Sequence, residues 1–256
     1  MKVIVCYKIV PEEQDIVVLK DRNLSFDRAE WKIGAFDLNA VEASMQIVGA
    51  SGGSVTALSI GGKQLESSKL RKSVLSRGPE DLYLVIDEQL GKADTYLTAL
   101  ALKGAIDKIG SYDVVLCGEG SSDLYAQQVG AQLGQLLNVA TINAVSKITP
   151  DGDKLVVERT LENEVEILEI TLPAVIAVTT DINEPRIPGM KETMTAGKKP
   201  VTQWSPADIG LQEVAKSTEI ISTLAPEQVD RKQIILEGES EEVVEKLFQN
   251  ICSELH

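Results

Sequence analysis

Short apolar, β-branched runs at Val3 to Cys6, Val55 to Ile60, Leu82 to Ile86 and Val114 to Cys117 punctuate the chain. Between them lie longer stretches in which apolar residues recur every three or four positions. The short runs read as buried strands and the spaced stretches as amphipathic helices, so their order predicts βαβ units around a mostly parallel sheet. Leu38, Val41, Ala43, Met45 and Val48 mark a first helix. Leu65, Leu70, Val74 and Leu75 mark a second that stops at Gly78-Pro79, and Leu97, Leu100, Ala101 and Ile106 a third that ends near Gly110. Ala126, Val129, Leu133, Leu136 and Leu137 mark a fourth. Each crossover is long enough to hold a helix and return parallel.

The period then changes from helical to two. Lys154 to Leu161 and Val165 to Leu172 alternate around Glu162, Asn163 and Glu164, which predicts an antiparallel hairpin attached to the sheet, followed by a buried strand at Ala174 to Val178. From Asp181 onward Pro185, Pro188, Gly189, Gly197 and Pro200 read as a loop, and Trp204 to Asp230 as an extended tail. A strand-like Gln233 to Leu236 and a last helix follow, the helix striped by Val243, Val244, Leu247, Ile251 and Leu255. Ser240 suits its N-cap, and Glu241 and Glu242 suit the positive helix start. A terminal helix on a long arm either docks on a partner or folds back on its own domain.

With 256 residues, 43% hydrophobic and 25% charged, the chain has apolar material for one large domain or a domain with an appendage. Its apolar runs are far shorter than the roughly 20 residues of a membrane span, so no membrane insertion is expected. Met1 to Cys6 is too short for a signal h-region and reads as the first strand of a cytoplasmic protein. Cys6, Cys117 and Cys252 form no CxxC and are expected to be small buried hydrophobes rather than zinc ligands. The single histidine, His256, leaves no material for a histidine triad, and a net charge of −14 argues against nucleic acid as a partner. Lys191 to Lys199, with three lysines and one glutamate, is a local exception to the acidic surface.

The most informative segment runs Cys117-Gly118-Glu119-Gly120-Ser121-Ser122-Asp123-Leu124-Tyr125-Ala126-Gln127-Gln128-Val129-Gly130. It follows a strand and opens a helix, so its amides and the helix dipole should face the carboxyl edge of the sheet, where α/β proteins take anions and nucleotides. Gly118 and Gly120 permit close backbone approach. Ser121, Ser122, Asp123, Gln127 and Gln128 crowd hydrogen-bonding side chains into one stretch. An ordinary capped strand-to-helix turn is the alternative reading. Neither a Walker lysine nor a full GxGxxG is present, so the motif alone names no ligand.

The same segment, with Gly118, Asp123 and then Gln128 two residues before Gly130, resembles the adenylate-binding loop of electron-transfer flavoprotein beta subunits. Val3-Ile-Val-Cys-Tyr-Lys8 resembles that family's opening strand, and Phe36-Asp-Leu-Asn-Ala-Val-Glu42 the segment leading into its first helix. Leu155-Val-Val-Glu-Arg159, Leu172-Pro-Ala-Val175 and Asn183-Glu-Pro-Arg186 occur in family order, so the likeness covers nearly the whole chain. Pro11-Glu-Glu-Gln-Asp-Ile16 and Arg77-Gly-Pro79 look closest to the branch associated with nitrogen fixation and carnitine metabolism.

The resemblance implies a doubly wound, Rossmann-like domain over residues 1–200, and over 201–256 an arm and helix that dock on an alpha subunit to form a heterodimer. FAD would be held mainly by that partner, and AMP or a second FAD by this chain. The implied nucleotide contacts are Cys6, Gly34, Ala35, Phe36, Asp37, Ile60, Gly118, Glu119, Gly120, Ser121, Ser122, Asp123, Gln127, Gln128 and Val129. The sequence departs from the family where Gln127 replaces asparagine, Val129 replaces threonine, and Ser122, Leu124 and Tyr125 interrupt an acidic run. The implied role is that of an electron carrier, not an enzyme, between an acyl-CoA-type dehydrogenase or NADH and a quinone- or ferredoxin-linked acceptor. The loop 183–199 resembles the family's recognition loop. Ile187, Met190 and Met194 would supply an apolar anchor and Lys198 and Lys199 the steering charge, unless Met194 packs inward. Glu158 and Arg159 would face the subunit interface or form a solvent-exposed ion pair. A stand-alone adenine-nucleotide-binding or sensing protein is the second reading. An adenylate-using hydrolase is the third, without visible base, metal ligands or P-loop.

Overall fold

The structure, a computed structural model, describes residues 1–212, 218–227 and 232–254; Leu255 and His256 lie outside the described residues. In chain order the elements are β1 (Lys2–Cys6), β2 (Ile9–Pro11), β3 (Val17–Val18), β4 (Leu24–Ser25), β5 (Trp31–Ile33), α1 (Ala35–Ser51), β6 (Ser54–Gly61), α2 (Ser68–Leu75), β7 (Asp81–Ile86) and α3 (Thr95–Ile109). There follow β8 (Val114–Gly118), α4 (Val129–Leu137), β9 (Ala140–Asp151), β10 (Lys154–Thr160), β11 (Val165–Thr171), β12 (Ala174–Val178), α5 (Met190–Ala196), β13 (Val201–Trp204) and α6 (Glu241–Glu254).

A nine-stranded sheet has the order β11-β10-β9-β12-β8-β1-β6-β7-β13. From β9 to β13 every neighbour pairs parallel, whereas β10 and β11 turn back antiparallel. The alternation of β1 shows why two layers of helix are needed. Val3 and Val5 enter one core with Ala40, Val41 and Ile47 of α1 and Val74 of α2. Ile4 and Cys6 enter the other, with Leu97 and Ile106 of α3 and Leu133 of α4. A parallel sheet carries apolar side chains on both faces, and helices must cover both. The expected doubly wound α/β fold is therefore present, hairpin included.

Several expected elements are redrawn. β9 is a long strand absent from the periodicity, because it serves two neighbours with different registers. It pairs parallel with β12 at one end and antiparallel with β10 at the other, and both registers slip near Ala144, which has φ 56°. A bulge of this kind breaks simple alternation. The loop after Asp181 contains α5, and Val201–Trp204, expected at the root of the arm, is the edge strand β13 beside β7. Ile209 is buried in the core as well, and Leu211 packs against it. Gln233 to Leu236 lies outside any strand.

The arm touches its own domain where it is described. Thr218 donates to Asp94, Ala225 N to Arg22 O at 2.9 Å, and Arg22 pairs with Glu227 at 2.8 Å. α6 buries none of its residues, and Val244, Leu247, Phe248 and Ile251 are exposed.

Candidate functional site

The chain runs from β1 outward through β6 and β7, then returns to lay β8 on the other side of β1. Between the carboxyl ends of β1 and β8 the winding reverses, and such a switch point opens a crevice that crossovers cannot cover. Asp37, in the first turn of α1, fills the root of this crevice. Its Oδ2 accepts from Lys8 N at 2.7 Å, just past β1, and its Oδ1 accepts from Gly118 N at 3.3 Å, at the end of β8. One carboxylate thus ties the two diverging strands. Burial pushes the Asp37 carboxyl up to about 7, against the two amide bonds and the Lys8 charge that favour its ionised form.

Gly118 is required by this closeness. A Cβ there would lie 2.6 Å from Phe36 Cβ and 2.9 Å from Asp37 Oδ1. Gly34 is held similarly, donating to Lys8 O at 3.0 Å, with a Cβ there 2.9 Å from Asp37 Oδ2. Beyond Gly118 the chain leaves the sheet as an open loop to α4, with residues 122–128 exposed. Tyr125 and Gln127 adopt φ of 46° and 56°, left-handed values that non-glycine residues rarely hold. Strain of this kind is retained where surroundings over-determine the backbone.

The side chains of this loop mostly restrain one another. Lys8 Nζ pairs with Asp123 at 2.5 Å. Burial pushes the Asp123 carboxyl up, but the Lys8 and Ser121 hydrogen bonds and the Lys8 charge outweigh it and hold it below its ordinary value. Tyr125 donates to Glu119 Oε1 at 3.0 Å, and its ring packs against Phe36 with centroids 5.5 Å apart. A side chain at Gly120 would occupy the place of that ring. Gln128 precedes α4 without capping it, because its Oε1 instead accepts from Thr95 Oγ1 at 2.8 Å. The first backbone bond of α4 runs from Gln132 N to Gln128 O, so the amides of the turn before it lack intrahelical acceptors. An uncapped helix start beside an open loop, with its carboxylates already engaged by Lys8 and Tyr125, suits the phosphate of a nucleotide.

Among the expected nucleotide contacts, Gly34, Ala35, Phe36, Asp37 and Gly118 to Asp123 gather at this crevice, with Gln127, Gln128 and Val129 on its far lip. Cys6 is buried at the end of β1, where burial raises its thiol well above the usual range. Ile60 stands half-buried on the neighbouring β6. Lys8, Thr95 and Tyr125 belong to the same constellation although the sequence pattern did not select them. Only Lys8, directly after the first strand, carried a signal.

The segment expected to serve recognition lies on the α1 and α2 face. Asn183 and Arg186 lock onto α1, with Arg186 Nε and Nη2 donating to the Glu42 carboxylate at 2.6 and 2.9 Å and Asn183 Nδ2 donating to Asn39 O at 3.1 Å. Ile187, Met190 and Met194 are 92%, 82% and 71% exposed, so Met194 does not pack inward. Lys198 is exposed, but the expected steering role of Lys199 is corrected: its Nζ turns inward and donates to the carbonyls of Leu75, Gly78 and Pro79. Glu158 forms an exposed pair with Lys147 at 2.6 Å, and Arg159 a half-buried one with Glu166 at 3.4 Å. Among the described residues no acidic, histidine or cysteine group could hold a metal, and no helix is long and apolar enough to cross a membrane.

The winding of the sheet and the open helix start at its switch point define a doubly wound α/β protein of the Rossmann-like kind. A family model described as the electron transfer flavoprotein domain matches residues 23–209, and the chain belongs to that family. Members of the family generally bind FAD and AMP and form heterodimers with an alpha subunit.

Proposed function

We propose that this chain is the beta-type subunit of a heterodimeric electron-transfer flavoprotein, close to the branch associated with nitrogen fixation and carnitine metabolism. The carrying observation is the start of α4, which has no side-chain cap and opens beside Gly118 at the switch point. Its free amides would hold the phosphate of AMP, or of a second FAD, while the Phe36–Tyr125 ring pair would border the ring system from one side. The flavin, held mainly by the alpha subunit, supplies the redox chemistry when bound. This chain's residues position it: Asp37 keeps the two strand ends together, and Lys8 holds Asp123 away from the phosphate. Exposed Ile187, Met190 and Met194 would anchor a dehydrogenase, with Lys191 and Lys198 steering an acidic partner. Electrons would then pass, in the cytoplasm, to a quinone- or ferredoxin-linked acceptor, with no catalytic residue in this chain. Co-expression with an alpha-type subunit of the family, purification, and chromatography of the nucleotides released on denaturation test the reading. One FAD with one AMP supports simple carriage and two FAD molecules the bifurcating type. A chain that stays alone and releases no nucleotide removes the proposal.

A further inference from the structure

A second recess lies away from the switch-point crevice. It is a cleft of about 370 Å³ between the end of α2 and the segment leading through α5, lined among others by Arg77, Gly78, Arg186, Gly189, Glu192 and Lys199. Three of these side chains are cationic and one is anionic, on a chain whose net charge is −14. Two of the cations are already answered. Arg186 is paired with Glu42, and Lys199 closes the carbonyl end of α2.

Arg77 is not answered. Among the described residues its Nη1 donates to Ser73 alone, to the carbonyl at 2.6 Å and to Oγ at 2.9 Å. Among the described residues its Nε is buried without a hydrogen-bond partner and no carboxylate lies within ion-pair distance of it. Burial of this guanidinium pulls its pKa below the ordinary value. Arg77 lines the cleft and is only partly buried, its Nε closed off from solvent where the side chain now lies. A guanidinium answers most favourably to an oxyanion, toward which a small turn of the side chain would bring the unpaired Nε as well.

We infer that the cleft between the end of α2 and the 186–199 segment is a phosphate-binding site in which Arg77 is the principal ligand. Tetrahedral phosphate offers acceptors toward both walls at once, and the volume leaves room for the organic part of a small phosphomonoester. Glu192 opposes the bound charge from α5. Occupancy would tie the segment bearing Ile187 and Met190 to α2. The inference does not depend on the nucleotide site, which lies at the carboxyl edge of the sheet.

Titration of the isotope-labelled full chain with inorganic phosphate, at ionic strength held constant with chloride and followed by amide and Arg Nε–H resonances, tests it. The expected result is saturable shifts at Gly78, Gly189 and Arg77, with the Kd raised about tenfold or more in Arg77→Met and lowered severalfold in Glu192→Gln. Glycerol phosphate in the same titration separates an ester site, which binds it more tightly, from a free-ion site, which binds it less tightly. Should Arg77→Met not fold, Glu192→Gln decides alone. Shifts that never saturate, a Kd unchanged in either variant, or shifts confined to 118–131 would overturn the cleft site. The last outcome would leave the nucleotide reading standing.

Discussion

α3 and α4 lie side by side on one face of the sheet, and both begin at its carboxyl edge, yet their first turns are finished in opposite ways. Asp94 holds the extended backbone of an N-cap and accepts from Leu97 N at 2.8 Å, and Thr218 of the arm donates to its other oxygen at 3.1 Å. The start of α3 is thus closed by its own chain. Gln128 has helical backbone angles and turns its amide away, so the start of α4 is open. A helix end left without its usual cap, where the sheet's winding reverses, is where the proposed nucleotide phosphate would sit.

The largest way to break this contrast acts at the root of the crevice. Unfolded, Asp37 titrates near 3.8, and folded near 7, so between these values the folded state holds a proton that the unfolded chain has lost. Its contribution to stability therefore falls as pH rises through that window and is level above it, a span of up to about 4 kcal/mol. Urea unfolding at several pH values should show the difference between the protein and Asp37→Asn changing across the window, and parallel pH profiles would remove the assignment. Next, Gly118→Ala forces Phe36 and Asp37 aside and should cost about 1–3 kcal/mol with loss of retained nucleotide. Full nucleotide content in that variant would show that the close approach is dispensable.

Asp94→Ala is the control at the closed helix. Loss of the cap should cost about 1 kcal/mol in thermal unfolding and leave nucleotide content untouched. The smallest change, Gln128→Asp, gives α4 the kind of cap that α3 has. Stability should move by about 0.3–1 kcal/mol at most, while nucleotide retention, measured by equilibrium dialysis, falls about tenfold; unchanged retention would mean that the open helix start is not where the phosphate sits.

Much of this was readable along the chain because its signals are local. The two-sided apolar strands, the four crossover helices and the hairpin each announce themselves within a few residues. So does the glycine and serine turn after β8, since a strand, a turn and a helix occur there in direct succession. β9 was not readable, because a strand that changes partner at a bulge has no single period. β13 and α5 were hidden by the prolines and glycines around them, and their places come from packing on β7 and α2.

By itself the sequence determined that there would be a parallel α/β layer with a glycine- and serine-rich turn between a strand and a helix, because hydrophobic period and turn chemistry are properties of neighbouring residues; that this turn is left uncapped came from the structure. Only the tertiary structure decided that Asp37 bridges Lys8 and Gly118, that Glu42 grips Arg186 from 144 positions away, and that Lys199 points inward while Arg77 is left unanswered. Those are pairings between residues distant in the chain, and their partners are fixed by where the sheet brings its ends together.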